Sequence, residues 1–224
     1  MQVQPACRVL AAAPGVLRGS CIGTPRGLWT SEAESSFPGP KAERDSRGPD
    51  PVTRASPVVR LPARTLPTLA DRCAEAGPEG VAALREAGRV AGEELLRRVG
   101  ADPSASEPGE FWEAVGQEFV DVGLGPLSYS VREPGVGEIR LEGSPEADGV
   151  DGEPRRRTGC AFSTGVLGGL LTGAAGQPVA VLEVECRAGG SAFCRFLVGD
   201  GHRLRAIRDR LGSGESLARA LEAR

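Results

Sequence analysis

The chain predicts a mixed α+β domain with a mainly antiparallel sheet packed against helices. Segments with apolar residues at helical spacing alternate with short segments of period two. Two pairs of the short segments flank Gly-containing turns, as hairpins do. No internal repeat is present.

Residues 1–57 hold eight of the 18 prolines, with many Gly, Ser and Arg and no periodic apolar pattern. Such a segment cannot bury enough surface to offset its ordering entropy. It reads as a disordered tail or as the result of a start codon placed too early. The folded domain spans 58–224. Val58 to Leu61 suggests a short strand, and Leu66 to Ala76 a helix. Residues 79–99 form the clearest helix, with Val81, Leu84, Ala87, Ala91, Leu95 and Val99 on one stripe. Pro78 stands near its start and Gly100 just past its end. Gly88 and Gly92, each costing ~1 kcal/mol against Ala in a helix interior, imply a second backbone packed closely there. Asp102 to Pro108 is a linker. Residues 109–122 are helical, with Phe111, Val115, Phe119 and Val122 in line. Leu127 to Val131 and Glu138 to Leu141 make a hairpin around Pro134-Gly135, and 143–157 is a polar, mobile loop. Cys160 to Gly176 is a helix of small and apolar residues. Val179 to Arg187 and Ala192 to Val198 form a second hairpin, and Gly201 to Leu221 a closing amphipathic helix.

A net charge of −3 speaks against bulk electrostatic attraction to nucleic acid or an anionic membrane. No run approaches the ~18 apolar residues of a membrane span. Lys41 is the only lysine, which suggests a GC-rich, bacterial genome. The N-terminus is a poor secretion signal, since residues 9–17 are apolar but short and broken by proline. The six cysteines are therefore expected in a reduced, cytoplasmic setting.

Three cysteines lie in the C-terminal half: Cys160, Cys186 and Cys194, with Glu183 and Glu185 just before the second. Thiolates suit zinc, and a carboxylate can complete a tetrahedral structural site. Cys186 and Cys194 sit on the two arms of the last hairpin, and Cys160 at a helix N-terminus. In a regular strand Glu183 and Glu185 share a face and Cys186 points to the other. One acid can join Cys186 only where the strand ends or bulges. Spacing leaves three readings open: a zinc site, three buried thiols, or a Cys186–Cys194 disulfide. Other chemistry is weaker. Gly165-Val166-Leu167-Gly168-Gly169 lacks the Lys-Ser/Thr of a phosphate loop and reads as close helix packing. His202, the one histidine, reads as a surface or capping residue, and it has no partners for a nucleophilic triad.

From Cys160 to Val198 the sequence resembles the 4-vinyl-reductase-type domain, a small-molecule-binding module that also forms the sensor half of aromatic-responsive sigma-54-dependent activators. The matching text is Gly159-Cys160-Ala161-Phe162, Gly165 to Gly169, Val181 to Cys186, Gly189-Gly190 and Cys194-Arg195-Phe196. Ala87 to Gly92 resembles the family's small-residue helix. The resemblance implies a fold related to TRAPP-type trafficking subunits, commonly dimeric. In the sensor members zinc is held by a Cys, a Glu 23 residues on, a Cys three later and a Cys eight later. Cys160, Glu183, Cys186 and Cys194 match those intervals, so the resemblance selects Glu183 over Glu185.

The function implied is a zinc-stabilised domain that binds a small apolar or aromatic ligand and signals to a partner protein. The expected cavity lies between the sheet and the helices of residues 81–122, with Phe111, Trp112, Val115, Phe119, Tyr129 and Phe162 as candidate liners. Phenol sensors grip the ligand hydroxyl with a His and a Trp. Here Trp112 has no His beside it, so a more apolar or differently shaped ligand is expected. The alternative is a structural or assembly subunit whose cavity is filled by side chains or a lipid. A tetrapyrrole vinyl reductase is the third reading. It is disfavoured because no residue set for hydride or proton delivery is visible and a four-ligand zinc has no open position.

Overall fold

The computed structural model describes residues 60–100, 108–148 and 159–222. The proposed tail, Cys7, Cys21, most of the 102–108 linker and the Arg155-Arg156-Arg157 run lie outside these residues. In order the elements are α1 (Thr65–Glu75), α2 (Pro78–Val99), α3 (Pro108–Asp121), β1 (Leu127–Glu133), β2 (Val136–Leu141), α4 (Ala161–Ala175), β3 (Ala180–Glu185), β4 (Cys194–Gly199), α5 (Gly201–Gly212) and α6 (Leu217–Leu221). The strands form one antiparallel sheet in the order β1-β2-β4-β3. The expected α+β class with a mainly antiparallel sheet is what the chain adopts. Arg60 and Leu61 belong to no strand.

The two faces of the sheet bury different things. Ile139, Leu141, Phe196 and Val198 point to one side, where α3 and α4 supply Phe111, Val115, Phe119, Val166, Leu167 and Leu170. Val136 and Leu197 point to the other side, against Leu204 and Ile207 of α5 and Ala220 of α6. Period two along each strand thus feeds two apolar layers.

Among the described glycines, the closest backbone approaches are those of α2 across α4. A Cβ on Gly88 would stand 2.1 Å from the Phe162 carbonyl oxygen, and one on Gly92 2.0 Å from that of Val166. From the other side, a Cβ on Gly165 or Gly169 would stand 2.0 Å from the carbonyl oxygen of Arg85 or Arg89. The backbones touch reciprocally, in the small-xxx-small manner that lets helix axes approach closely. This is the partner that Gly88 and Gly92 imply, and it accounts for Gly165 and Gly169 of α4.

Two expectations are corrected. The closing helix is two helices. Ser213 ends α5, Gly214 (φ +91°) turns the chain, and Ser216 caps α6 by accepting from the Arg219 N–H. A Ser-Gly stop followed by a Ser start outweighs continuous Leu spacing. The described part of the 143–157 loop, up to residue 148, is packed: Ser144, Glu146 and Ala147 are buried. His202 is exposed at the start of α5. Its backbone N–H donates to Asp200, which is the cap.

Candidate metal centre and its surroundings

The metal-ligand candidates converge through one irregularity. Along β3, Glu183 pairs with Phe196, but the next pair is Glu185 with Arg195, so an extra residue is inserted between them. The bulge puts Glu183 on the α4 side, with Phe196 and Cys194, and turns Glu185 to the opposite face. There Glu185 meets the Arg195 guanidinium at 3.3 Å. The strand then ends and Cys186 turns back into the α4 side. A 3-10 turn, Arg187–Gly189, closes the hairpin, so its arms are shorter than expected.

Cys160 is the residue before α4. Its Sγ lies 3.7 Å from Cys186 Sγ and 3.6 Å from Cys194 Sγ. One ligand atom from each of Cys160, Glu183, Cys186 and Cys194 lies within 4.8 Å of the others. The three sulfurs are buried free thiols, so the Cys186–Cys194 disulfide alternative does not hold. Glu183 Oε2 accepts the Cys160 backbone N–H at 2.6 Å, while its Oε1 is buried without a partner. An orphaned buried carboxylate oxygen beside three thiols fits a thiophilic cation with one oxygen ligand. The Arg187 backbone N–H donates to Cys194 Sγ at 3.4 Å, a contact that favours negative charge on sulfur.

Crowding four acidic donors sets their protons. Hydrogen bonding to Cys160 and then Cys194 pulls the Cys186 thiol far below the ordinary thiol range. Cys160 is pushed far up, because its bond to Cys186 needs the proton and burial disfavours a second charge. Cys194 is pulled down by Cys160, but Cys186 and burial prevail and push it up to about 12. Burial raises Glu183 to about 8. A divalent cation bound there would displace the protons these donors still carry.

Glu146 was not legible as a functional residue. It is fully buried, and its carboxylate accepts from the backbone N–H groups of Phe162 and Ser163 and from Ser163 Oγ, each at 2.8 Å. The start of α4, which carries Cys160, has no side-chain cap of its own. A carboxylate from a distant loop neutralises the helix dipole there. No local spacing could reveal it, since it stands 16 and 17 residues away.

The six candidate liners lie together on the α3 side of the sheet. Phe111, Val115 and Phe119 are buried core residues of α3. Trp112 stacks on Tyr129 at 4.1 Å between ring centroids and meets Phe111 edge-on. Phe162, half-buried, packs against the same core. A separate cavity of about 430 Å³ borders Cys160 and Glu183, and none of the six lines it.

Residues 138–200 match the model of the vinyl-4-reductase domain. No curated protein matches the chain. Among solved structures, the phenol-responsive sensory domain of the transcription activator PoxR, in complex with phenol, is similar at 18% identity. That match covers 63% of this chain and 76% of that one, with a TM-score of 0.54. A vinyl-4-reductase family protein from Methanocaldococcus jannaschii matches at 21% identity over 64% and 84% of the two chains, TM-score 0.42. A trafficking protein particle complex subunit 3 from Naegleria fowleri, covalently bound to palmitic acid, matches at 14% over 61% and 91%, TM-score 0.47. No helix among the described residues is long and apolar enough to cross a membrane. The domain match is confined to residues 138–200, and the PoxR sensory domain shares the fold of this chain.

Proposed function

We propose that the chain is a zinc-stabilised small-molecule-binding domain that signals to a partner protein and works as a homodimer in the cytoplasm. The observation that carries this reading is the convergence of Cys160, Glu183, Cys186 and Cys194 inside a vinyl-4-reductase domain. Three sulfurs and one carboxylate oxygen suit zinc, and a site closed by four protein ligands is structural. Zinc there would tie the start of α4 to the last hairpin. PoxR's sensory domain, similar in fold, was solved with phenol, which supports a small aromatic or apolar ligand here. Phe111, Trp112, Val115, Phe119, Tyr129 and Phe162 are the proposed contacts on the α3 side. A shift of α3 against the sheet on binding would move the α4 clamp and pass the signal outward.

The test is elemental analysis of protein purified without a metal-affinity tag, beside Cys186→Ser. One zinc per chain is expected, lost in the variant together with thermal stability, because metal-binding free energy is folding free energy. Zinc-free, reduced wild-type protein of full stability would overturn the reading.

A structural or assembly role is the second reading, favoured by the burial of Phe111, Val115 and Phe119 in the core. Zinc without any ligand-induced thermal shift across a panel of neutral aromatics would select it.

A further inference from the structure

The cavity beside the metal centre lies at the free edge of β3, away from the α3 aromatic cluster. Its apolar wall comes from Ala70 and Ala74 of α1, Val81 and Leu84 of α2, and Val181 and Leu182 of β3. At about 430 Å³ it falls within the ~300–1,000 Å³ of typical small-ligand sites. Two arginines border it from different elements: Arg85 of α2, and Arg208 of α5. Because α5 packs on the opposite face of the sheet, Arg208 reaches the cavity past the β3 edge. Arg85 has no hydrogen-bond or ion-pair partner among the described residues, and Arg208 meets only its exposed neighbour Asp209. The two carboxylates in the wall are turned to backbone donors, Glu146 to Phe162 and Ser163 and Glu183 to Cys160. The two arginines stand beside the apolar wall, and the carboxylate oxygen left without a partner, Glu183 Oε1, belongs to the metal-ligand set at the inner end.

We propose that this cavity binds a small apolar molecule bearing one carboxylate, its head between Arg85 and Arg208 and its body along α1, α2 and β3. Guanidinium groups pair with carboxylates through paired N–H donors, which selects this head group over a neutral one. The inner end of the site is Gly159, Cys160 and Glu183, so an occupant would touch the proposed metal clamp directly. The proposal rests on the reading of the chain as a small-molecule-binding domain, and gives that domain a second, anion-selective site.

The experiment is calorimetric titration of the full zinc-loaded chain with octanoate and with 1-octanol, repeated on Arg85→Gln, Arg208→Gln and the double variant. Both arginines are exposed, so the variants are expected to fold and keep wild-type metal content. Octanoate should bind one to one. Each single variant should weaken it about fivefold, as for a partly solvated charge-assisted pair, and 1-octanol should bind no better than octanoate does to the double variant. Absence of saturable octanoate binding, or binding unchanged in the double variant, overturns the proposal. If neutral aromatics still bind in that case, the small-molecule reading stands and only this site falls. If neither class binds although zinc is present, both fall.

Discussion

Adding one methyl group to α4 at two adjacent positions should have opposite effects. A Cβ on Gly169 would sit 2.0 Å from the Arg89 carbonyl oxygen, about 1.4 Å inside an ordinary contact of 3.4 Å. The obstructing atom is backbone in the middle of α2, so no side-chain rotation relieves it. The helices must part along the crossing, and a gap of about 1 Å already forfeits a quarter to a half of each contact's dispersion energy. That places Gly169→Ala at the upper end of the ~1–3 kcal/mol cost of inserted core atoms, offset by ~1 kcal/mol of Ala helix preference. The net expectation is a loss of about 2 kcal/mol. At Gly168 the nearest atom to a new Cβ is Val181 Cγ2, at 3.9 Å, so Gly168→Ala keeps the helix gain and stabilises by up to ~1 kcal/mol. Urea unfolding reads both. With m near 2–3 kcal/mol per M, the two midpoints should differ by about 1 M, with Gly169→Ala below wild type. Equal midpoints would refute the close backbone crossing.

Two further outcomes follow from buried carboxylates. Glu146→Gln should cost about 2–3 kcal/mol, since a charged acceptor for three donors is replaced by a neutral one that turns an amide donor toward them. Denaturant midpoints check this, and the zinc content of the variant should fall as the start of α4 frays. Glu138 is buried and accepts from Arg132 and Arg140 at 2.6–2.8 Å. Burial pushes its carboxyl up, but these guanidinium groups prevail and hold it below the ordinary 4.5. A depressed folded-state pKa gives stability that is present above pH 4.5 and lost as pH falls through the folded value. Glu138→Gln should therefore destabilise by about 2 kcal/mol at pH 7, discounted for the half-exposed arginines, and the gap to wild type should close below pH 4. A gap that is constant with pH would show that the charge is not what matters there.

The sequence alone determined whatever depends on local periodicity. The stripe of α2, the Pro78 and Gly100 signals at its ends and the hairpin at Gly135 are short-range, and they place nearly every element within one or two residues. The donor set was legible as residue types and intervals, because Cys and Glu are chemically distinct and few of them stand close together. The requirement for a bulge was also legible, since Glu183 and Cys186 cannot otherwise share a face. Tertiary structure alone decided the rest. The bulge between Glu183 and Glu185 depends on pairing with β4, where Phe196 takes Glu183 and Arg195 takes Glu185. Gly88 and Gly92 announced a close neighbour, but only the fold showed it to be the α4 backbone at Phe162, Val166 and Leu170. Glu146 looked like one polar residue in a loop, yet it caps α4 from far along the chain. Charge pairing, backbone approach and distant capping are fixed by which segments meet in space. A one-dimensional pattern does not encode those meetings when each is made by a single residue without a period.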